Sequence, residues 1–294
     1  MADTPEEEAQ LEADAKDYHA DLDKAIAKKL PLMELFGPTI QGEGTVIGQQ
    51  TYFLRFGLCD YKCRMCDSMH AVDPRSVKAN AQWLTQQEIF EAYWEFRNPN
   101  STDWLTFSGG NPAIHDLGYL VGLLHLNGIK INVETQGTMW KGWLGKVNSL
   151  TISPKGPGMG ETHDDEVFRG FLDKLRVAKG DILSEVALNG QPELCFKIVV
   201  FDQRDLEFAK EIYQTVMASG LLFGSDPSNV FYLSLGNTNP PPLDPDIEDP
   251  GFDVMDALIR YRMLTEDIMH DSILSQFRFT PQWHAFVWGN AKGK

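Results

Sequence analysis

Positive charge is scarce in this chain: 26 Lys and Arg stand against 42 Asp and Glu, a net charge of −16. A protein that grips a phosphate backbone needs a basic face, so nucleic acid is not an expected partner. Also missing is any run of about eighteen apolar residues, so no membrane-spanning helix is expected. The first residues are acidic instead of basic-then-apolar, so no secretory signal is expected. Cysteine is rare as well, with four in 294 residues, and three of the four lie together. That is no disulfide framework. Clustered thiols without an export signal read as metal ligands or redox groups in a reducing cytoplasm.

What is present is enough for a large core, with 43% hydrophobic and 11% aromatic residues. The negative charge is uneven: residues 1–30 carry nine Asp and Glu against four Lys. That segment opens with an N-cap and a Pro at the first helical position, Thr4 and Pro5. Its apolar stripe (Leu11, Tyr18, Leu22, Ala25, Ile26) is thin. Residues 1–30 therefore read as an appended acidic helix, marginal alone, and 31–294 as the main domain.

From residue 32 the pattern changes. "MELFGPTIQGEG" and "QQTYFLRFGL" read as short strands around a Gly-rich turn. Strand patterns then recur in "WLTFSGGNP", "KINVETQGT", "NSLTISPK", "ELCFKIVVF" and "NVFYLSLGN", most of them separated by helical segments of a dozen or so residues. This alternation implies parallel βα units. Residues 156–166 and 238–251, rich in Gly, Pro and acids, read as long surface loops. The polar or Gly-rich sequences fall at the strand ends, where parallel βα proteins gather their functional residues. One site at one end of a barrel-like sheet is expected.

The fourteen residues "GLCDYKCRMCDSMH" (57–70) hold Cys59, Cys63 and Cys66, with His70 four positions on. Three readings compete. A structural zinc could use the three thiols and His70. A redox pair could use Cys63 and Cys66. An iron–sulfur cluster could be held by three thiolates, with one iron left open. The spacing Cys-x3-Cys-x2-Cys directly after a strand, with no second cysteine pair to follow, favours the cluster. His70 is then a loop residue. Cys195, in the apolar run "LCFKIVV", reads as core.

That spacing is the signature of the radical S-adenosylmethionine (SAM) superfamily. The segment "LFGPTIQGEGTVIGQQTYFLRFGLCDYKCRMCDS" closely resembles the N-terminal region of 7-carboxy-7-deazaguanine synthases. "NVETQGT", "SPK" and "PQWHAFVWGN" match further family motifs, and "SGGNP" stands where the family has Gly-Gly-Glu-Pro. The match runs from about residue 32 to 291. The resemblance implies a modified, incomplete (β/α) barrel, dimeric, that converts 6-carboxy-5,6,7,8-tetrahydropterin into 7-carboxy-7-deazaguanine with loss of ammonia. A reduced [4Fe–4S] cluster splits SAM, the resulting radical takes a hydrogen from the pterin, and Mg²⁺ assists.

Carried over by position, the resemblance assigns Cys59, Cys63 and Cys66 to the cluster and Ser68 to Mg²⁺, a hard cation suited to oxygen ligands. Met65, Cys66, Asp67, Gly110, Asn111, Ser153, Pro154, Lys155, Ser234, Leu235, Gly236 and Asn237 would line SAM, with Glu134 on the same wall. Ile40, Gln41, Gly42 and Glu43 would read the amino-pyrimidinone edge of the pterin. Arg55, flanked by apolar neighbours in "YFLRFG", would clamp its carboxylate. Ser108 and His284 would also touch substrate. Asn111 replaces the family glutamate, and its carbonyl oxygen would accept from the SAM ammonium without the carboxylate's charge. Lys62 and Arg64 beside the cluster would help dock an acidic, flavodoxin-like electron donor. The rival readings are a glycyl-radical activating enzyme, which acts on a protein, and a zinc-stabilised binding module without catalysis.

Overall fold

The computed structural model describes Lys24 and residues 26–182, 192–222, 226–244 and 246–293. The helix expected over the N-terminal extension lies outside the described residues except at its end, where Lys24, Ile26 and Ala27 are helical.

Nine strands are described: β1 (Leu30–Ile40), β2 (Gln50–Phe56), β3 (Gln82–Leu84), β4 (Trp104–Gly109), β5 (Lys130–Thr135), β6 (Ser149–Ile152), β7 (Glu193–Val200), β8 (Phe231–Leu235) and β9 (Arg278–Thr280). They form one sheet in the order β3-β1-β2-β4-β5-β6-β7-β8-β9. From β2 to β9 every pairing is parallel. Only β1 runs against its neighbours β2 and β3. The two end strands, β3 and β9, do not pair, so the sheet is open and the barrel incomplete.

Side chains on a strand alternate between faces, and here the alternation separates core from site. One face carries Leu54 and Phe56, Leu105 and Phe107, Ile131 and Val133, Leu150 and Ile152, Phe196 and Ile198, Phe231 and Leu233. All are buried in the main core beneath the covering helices. The intervening positions are largely polar: Thr51 and Arg55, Thr106 and Ser108, Asn132 and Glu134, Thr151, Lys197 and Ser234. A strand buried on both sides would be apolar throughout. These strands keep a polar inner face, and several of its residues line the cavity described below.

The covering helices start where local chemistry satisfies their free N–H groups. Thr85 and Glu88 form a reciprocal cap for Gln86–Phe96, and Asp202 and Asp205 do so for Gln203–Ala218. Among the described residues no helix is long and apolar enough to cross a membrane. Strands β3 and β9, the short helices Met69–Val72 and Pro74–Asn80, and Trp283–Trp288 were not anticipated, each being too short to show a clear period.

Candidate active site

The ends of the parallel strands surround a cavity lined by the cluster loop and by residues from most of the sheet. The loop itself is held by the backbone. Leu58, just before the first cysteine, has a left-handed φ of 74°, which is rare for a branched side chain. Its N–H donates to the Ala71 carbonyl (2.7 Å), and its carbonyl accepts from the Asn111 N–H (2.9 Å). The Gly109-Gly110 turn presses onto this segment. A Cβ on Gly110 would stand 1.9 Å from the Leu58 oxygen, so a side chain there is excluded.

Cys59, Cys63 and Cys66 all line the cavity, and all three are free thiols. Cys63 sits with Met159 and Val199, against the half-buried Tyr61, Met65, Cys66 and Phe201. The Cys59 sulfur accepts from the Tyr61 N–H (3.4 Å) and from Gln136 Nε2 (3.5 Å). Burial pushes the Cys59 thiol up, Cys63 to about 11 and Cys66 to about 12, the last helped by Asp67. The ordinary state of these thiols is therefore protonated until a cationic centre takes them as thiolates. His70 lines the same cavity, its Nε2 lying 3.5 Å from Glu34 Oε2.

On the opposite wall, Gln41 Nε2 donates to Glu134 Oε1 (3.0 Å). Glu43 lies deeper. Its Oε2 takes the Lys197 ammonium at 2.8 Å, and its Oε1 accepts from Ser234 (2.7 Å) and Gln282 (3.1 Å). Burial alone would raise the pKa of Glu43. The Lys197 and His284 charges and the hydrogen bonds outweigh it and hold the carboxyl ionised. Burial likewise works against the Lys197 ammonium, and the carboxylates of Glu43 and Glu134 overcome that and raise its pKa.

Arg55 spans the rim. Its Nε donates to Glu34 Oε2 (2.5 Å) and its Nη1 to Ser68 Oγ (3.0 Å), and Ser68 in turn donates to Asp67 Oδ1 (2.8 Å). Lys155 Nζ donates to Ser153 Oγ at 3.1 Å.

Of the residues singled out from sequence, Ile40, Gln41, Gly42, Glu43, Arg55, Cys59, Cys63, Met65, Cys66, Asp67, Ser68, Ser108, Gly110, Glu134, Ser153, Lys155, Asn237 and His284 share this cavity. Asn111, Pro154, Ser234, Leu235 and Gly236 are not in its lining. Ser234 reaches it only through Glu43. Asn111 is fully buried, and its side chain is engaged at both ends. Its Oδ1 caps the Ala113 N–H (3.1 Å) and accepts from Thr135 (2.8 Å), while its Nδ2 donates to Asp60 Oδ1 (2.8 Å).

No protein-family model matches the chain. Over 269 residues it is 35% identical to the 7-carboxy-7-deazaguanine synthase of Bacillus subtilis, covering 91% of this chain and 100% of that one. Over 266 residues it is 32% identical to the protein of the same name from Bacillus cereus, covering 90% and 99%. The chain belongs to the 7-carboxy-7-deazaguanine synthase family. The crystal structure of QueE from Escherichia coli matches with a TM-score of 0.55 at 21% identity, over 86% of this chain and 93% of that one, a likeness of fold.

Enzymes of the 7-carboxy-7-deazaguanine synthase family are radical SAM enzymes that use a [4Fe–4S] cluster and SAM. The donor set suits such a cluster. Three thiols with apolar surroundings and N–H donors to sulfur are what an iron–sulfur centre takes. Among the described residues no three Cys, His, Asp or Glu side chains gather as a single-ion site would need. A structural zinc draws four donors to within about 2.0–2.3 Å of one point.

Sequence reasoning passed over Lys197, Gln282, Glu34, Asp60 and Gln136. Lysine inside the apolar run "LCFKIVV" was a usable signal, since a buried ammonium requires a carboxylate. Glu34 stands opposite Arg55 in the β1–β2 register, which only strand pairing reveals.

Proposed function

We propose that the chain converts 6-carboxy-5,6,7,8-tetrahydropterin into 7-carboxy-7-deazaguanine with loss of ammonia, in 7-deazapurine biosynthesis. One observation carries this reading. The three thiols and the wall of Gln41, Gly42, Arg55, Ser108, Glu134 and His284 line the same cavity, so cluster and substrate would meet there.

Cys59, Cys63 and Cys66 would hold the [4Fe–4S] cluster, which with SAM supplies a carbon radical able to take a hydrogen atom from the substrate. Met65 to Asp67, Gly110, Ser153 to Lys155 and Asn237 would bind SAM, with Ser234 to Gly236 shaping the strand end behind it. Gln41 and Glu134, tied to each other, each keep one oxygen to accept the N–H donors of an amino-pyrimidinone edge. Arg55 presents a guanidinium for the pterin carboxylate, and Ser108, next to it in the β2–β4 register, adds a hydroxyl. Ser68 gives Mg²⁺ one oxygen, and water and substrate would complete the shell.

Lys62 and Arg64 are exposed beside the cluster loop and suit an acidic flavodoxin-like donor. A homodimer belongs to this reading, supported by the exposed apolar stripe Met255, Leu258, Ile259 and Met263 on the helix Val254–His270. Residues 1–30 would be an extension outside the catalytic domain. Four free cysteines fit a reducing cytoplasm.

The test is turnover. Anaerobic, cluster-loaded protein with SAM and a reductant should release 7-carboxy-7-deazaguanine from the pterin with no protein partner. A requirement for a protein substrate would favour an activating enzyme instead.

A further inference from the structure

We propose that Glu43 is a positioning residue, a buried carboxylate that fastens the C-terminal segment Gln282–His284 across the open side of the sheet and so sets His284 in the substrate cavity. This rests on the pterin reading of that cavity.

The sheet offers no backbone pairing to do this. Its ends, β3 and β9, are unpaired with each other, and the segment after β9 must be held by other means. Glu43 supplies the buried tie, while Asn290 bonds Asn237, Asn239 and Asp249 further along. Glu43 lies in the turn between β1 and β2, and it reaches Lys197 on β7, Ser234 on β8 and Gln282 beyond β9. One carboxylate thus ties the first strands to the last three. Both of its oxygens are taken by protein donors, and its side chain is only 8% exposed. A group so saturated acts on a ligand through its neighbours.

The next two residues show what is positioned. The Trp283 N–H points at the Gly42 carbonyl at 3.4 Å, extending the contact made by Gln282. A Cβ on Gly42 would stand 2.9 Å from both the backbone nitrogen and Nδ1 of His284. The backbone that would read the pterin edge and the imidazole are therefore in direct contact, with Glu43 beneath them. Lys197 keeps the carboxylate charged, and a charged acceptor holds the Gln282 amide more strongly than a neutral one.

The test uses the full-length, cluster-loaded enzyme and reads both motion and kinetics. Gln282→Leu removes the tie; because Gln282 also lines the cavity, the exchange measurement and the double variant, and not KM alone, report on the tie. Hydrogen–deuterium exchange over residues 280–290 should become faster. The KM for the pterin should rise about tenfold, while the affinity for SAM stays within twofold. His284→Ala should raise KM as well, and the double variant should be little worse than the worse single one, because a displaced histidine is already lost. Gln282→Asn, one methylene too short to reach Glu43, serves if Gln282→Leu does not fold, with the same expected pattern.

Unchanged exchange overturns the proposal, as does an unchanged KM, or effects that multiply in the double variant. Should the wild-type enzyme bind and cleave SAM but never consume the pterin, the pterin reading falls. The exchange measurement would still decide whether Glu43 holds the segment.

Discussion

Glu34 and Arg55 face each other across the antiparallel β1–β2 pair, and Arg55 Nε donates to the Glu34 carboxylate at 2.5 Å. Arg55 is thus fixed before substrate arrives. Its other arm reaches Ser68 Oγ, and its guanidinium carbon lies 5.5 Å from the centre of the Phe36 ring. Pinned from one side, the guanidinium needs little reorganisation to meet a carboxylate.

Arg55→Lys keeps the charge and loses the fork. An ammonium cannot serve Glu34, Ser68 and a substrate carboxylate in the same plane. Charged hydrogen bonds contribute about 1.5–3 kcal/mol, so the pterin KM should rise roughly ten- to a hundredfold. Isothermal titration with SAM should show affinity close to wild type. Wild-type pterin kinetics in the lysine variant would make Arg55 a structural residue.

The same pair predicts an acid limb. Burial would raise the Glu34 pKa, but the His70 imidazole and the Arg55 guanidinium outweigh it and hold the carboxyl at about 2. A folded-state pKa below the unfolded one stabilises the protein above the unfolded value, and the benefit fades as pH falls. Glu34 should therefore lend stability that is full above about pH 4.5 and lost on the way to pH 2. Thermal melts of wild type and Glu34→Gln should converge across that window; a constant gap would contradict it.

The thiols should separate by position. Cys63→Ala removes a cluster ligand, and anaerobic protein should lose its brown colour and most of its iron. Cys195 is fully buried on the inner face of β7 and is not in the cavity lining that holds the three loop thiols. Cys195→Ala should keep the cluster and lose roughly 1–2 kcal/mol of stability from the small void. Iron content and a melt of each variant decide it. Loss of iron in both variants would implicate general unfolding.

Asn111 gives a prediction peculiar to this chain. Its amide bridges Asp60, Thr135 and the Ala113 N–H, and its backbone N–H holds Leu58 ahead of the first cysteine. Asn111→Glu would set a second carboxylate beside Asp60, at a position without solvent. Cluster retention and stability should fall, even though a glutamate is what the family turn carries. Asn111→Ala should cost about 1 kcal/mol through the lost cap and also weaken cluster retention. A glutamate variant that keeps its cluster and binds SAM more tightly would show that the side chain faces the cofactor.

Much of the fold was legible because the strands carry two signals at once. Runs such as "WLTFSGG" and "NVETQG" are apolar enough to mark a buried strand, and their alternate polar residues mark the inner face. The cysteine spacing and the strand-end glycines pointed to the strand ends that line the cavity for the same local reason. What stayed hidden is long-range. Glu43 and Gln282 are 239 positions apart, and nothing local in "GEG" or "PQW" says that the two meet. Likewise Asn111 looked like a cofactor contact, whereas its burial between Asp60 and Thr135 depends on how two loops stack.

The most direct test of the whole account follows the hydrogen. Anaerobic, reduced enzyme would be given SAM and 6-carboxy-5,6,7,8-tetrahydropterin deuterated at its ring carbons, and the 5′-deoxyadenosine would be examined by mass spectrometry. The account predicts deuterium in the 5′-deoxyadenosine, with 7-carboxy-7-deazaguanine and ammonia formed alongside. Unlabelled 5′-deoxyadenosine, with the pterin recovered intact, would contradict it.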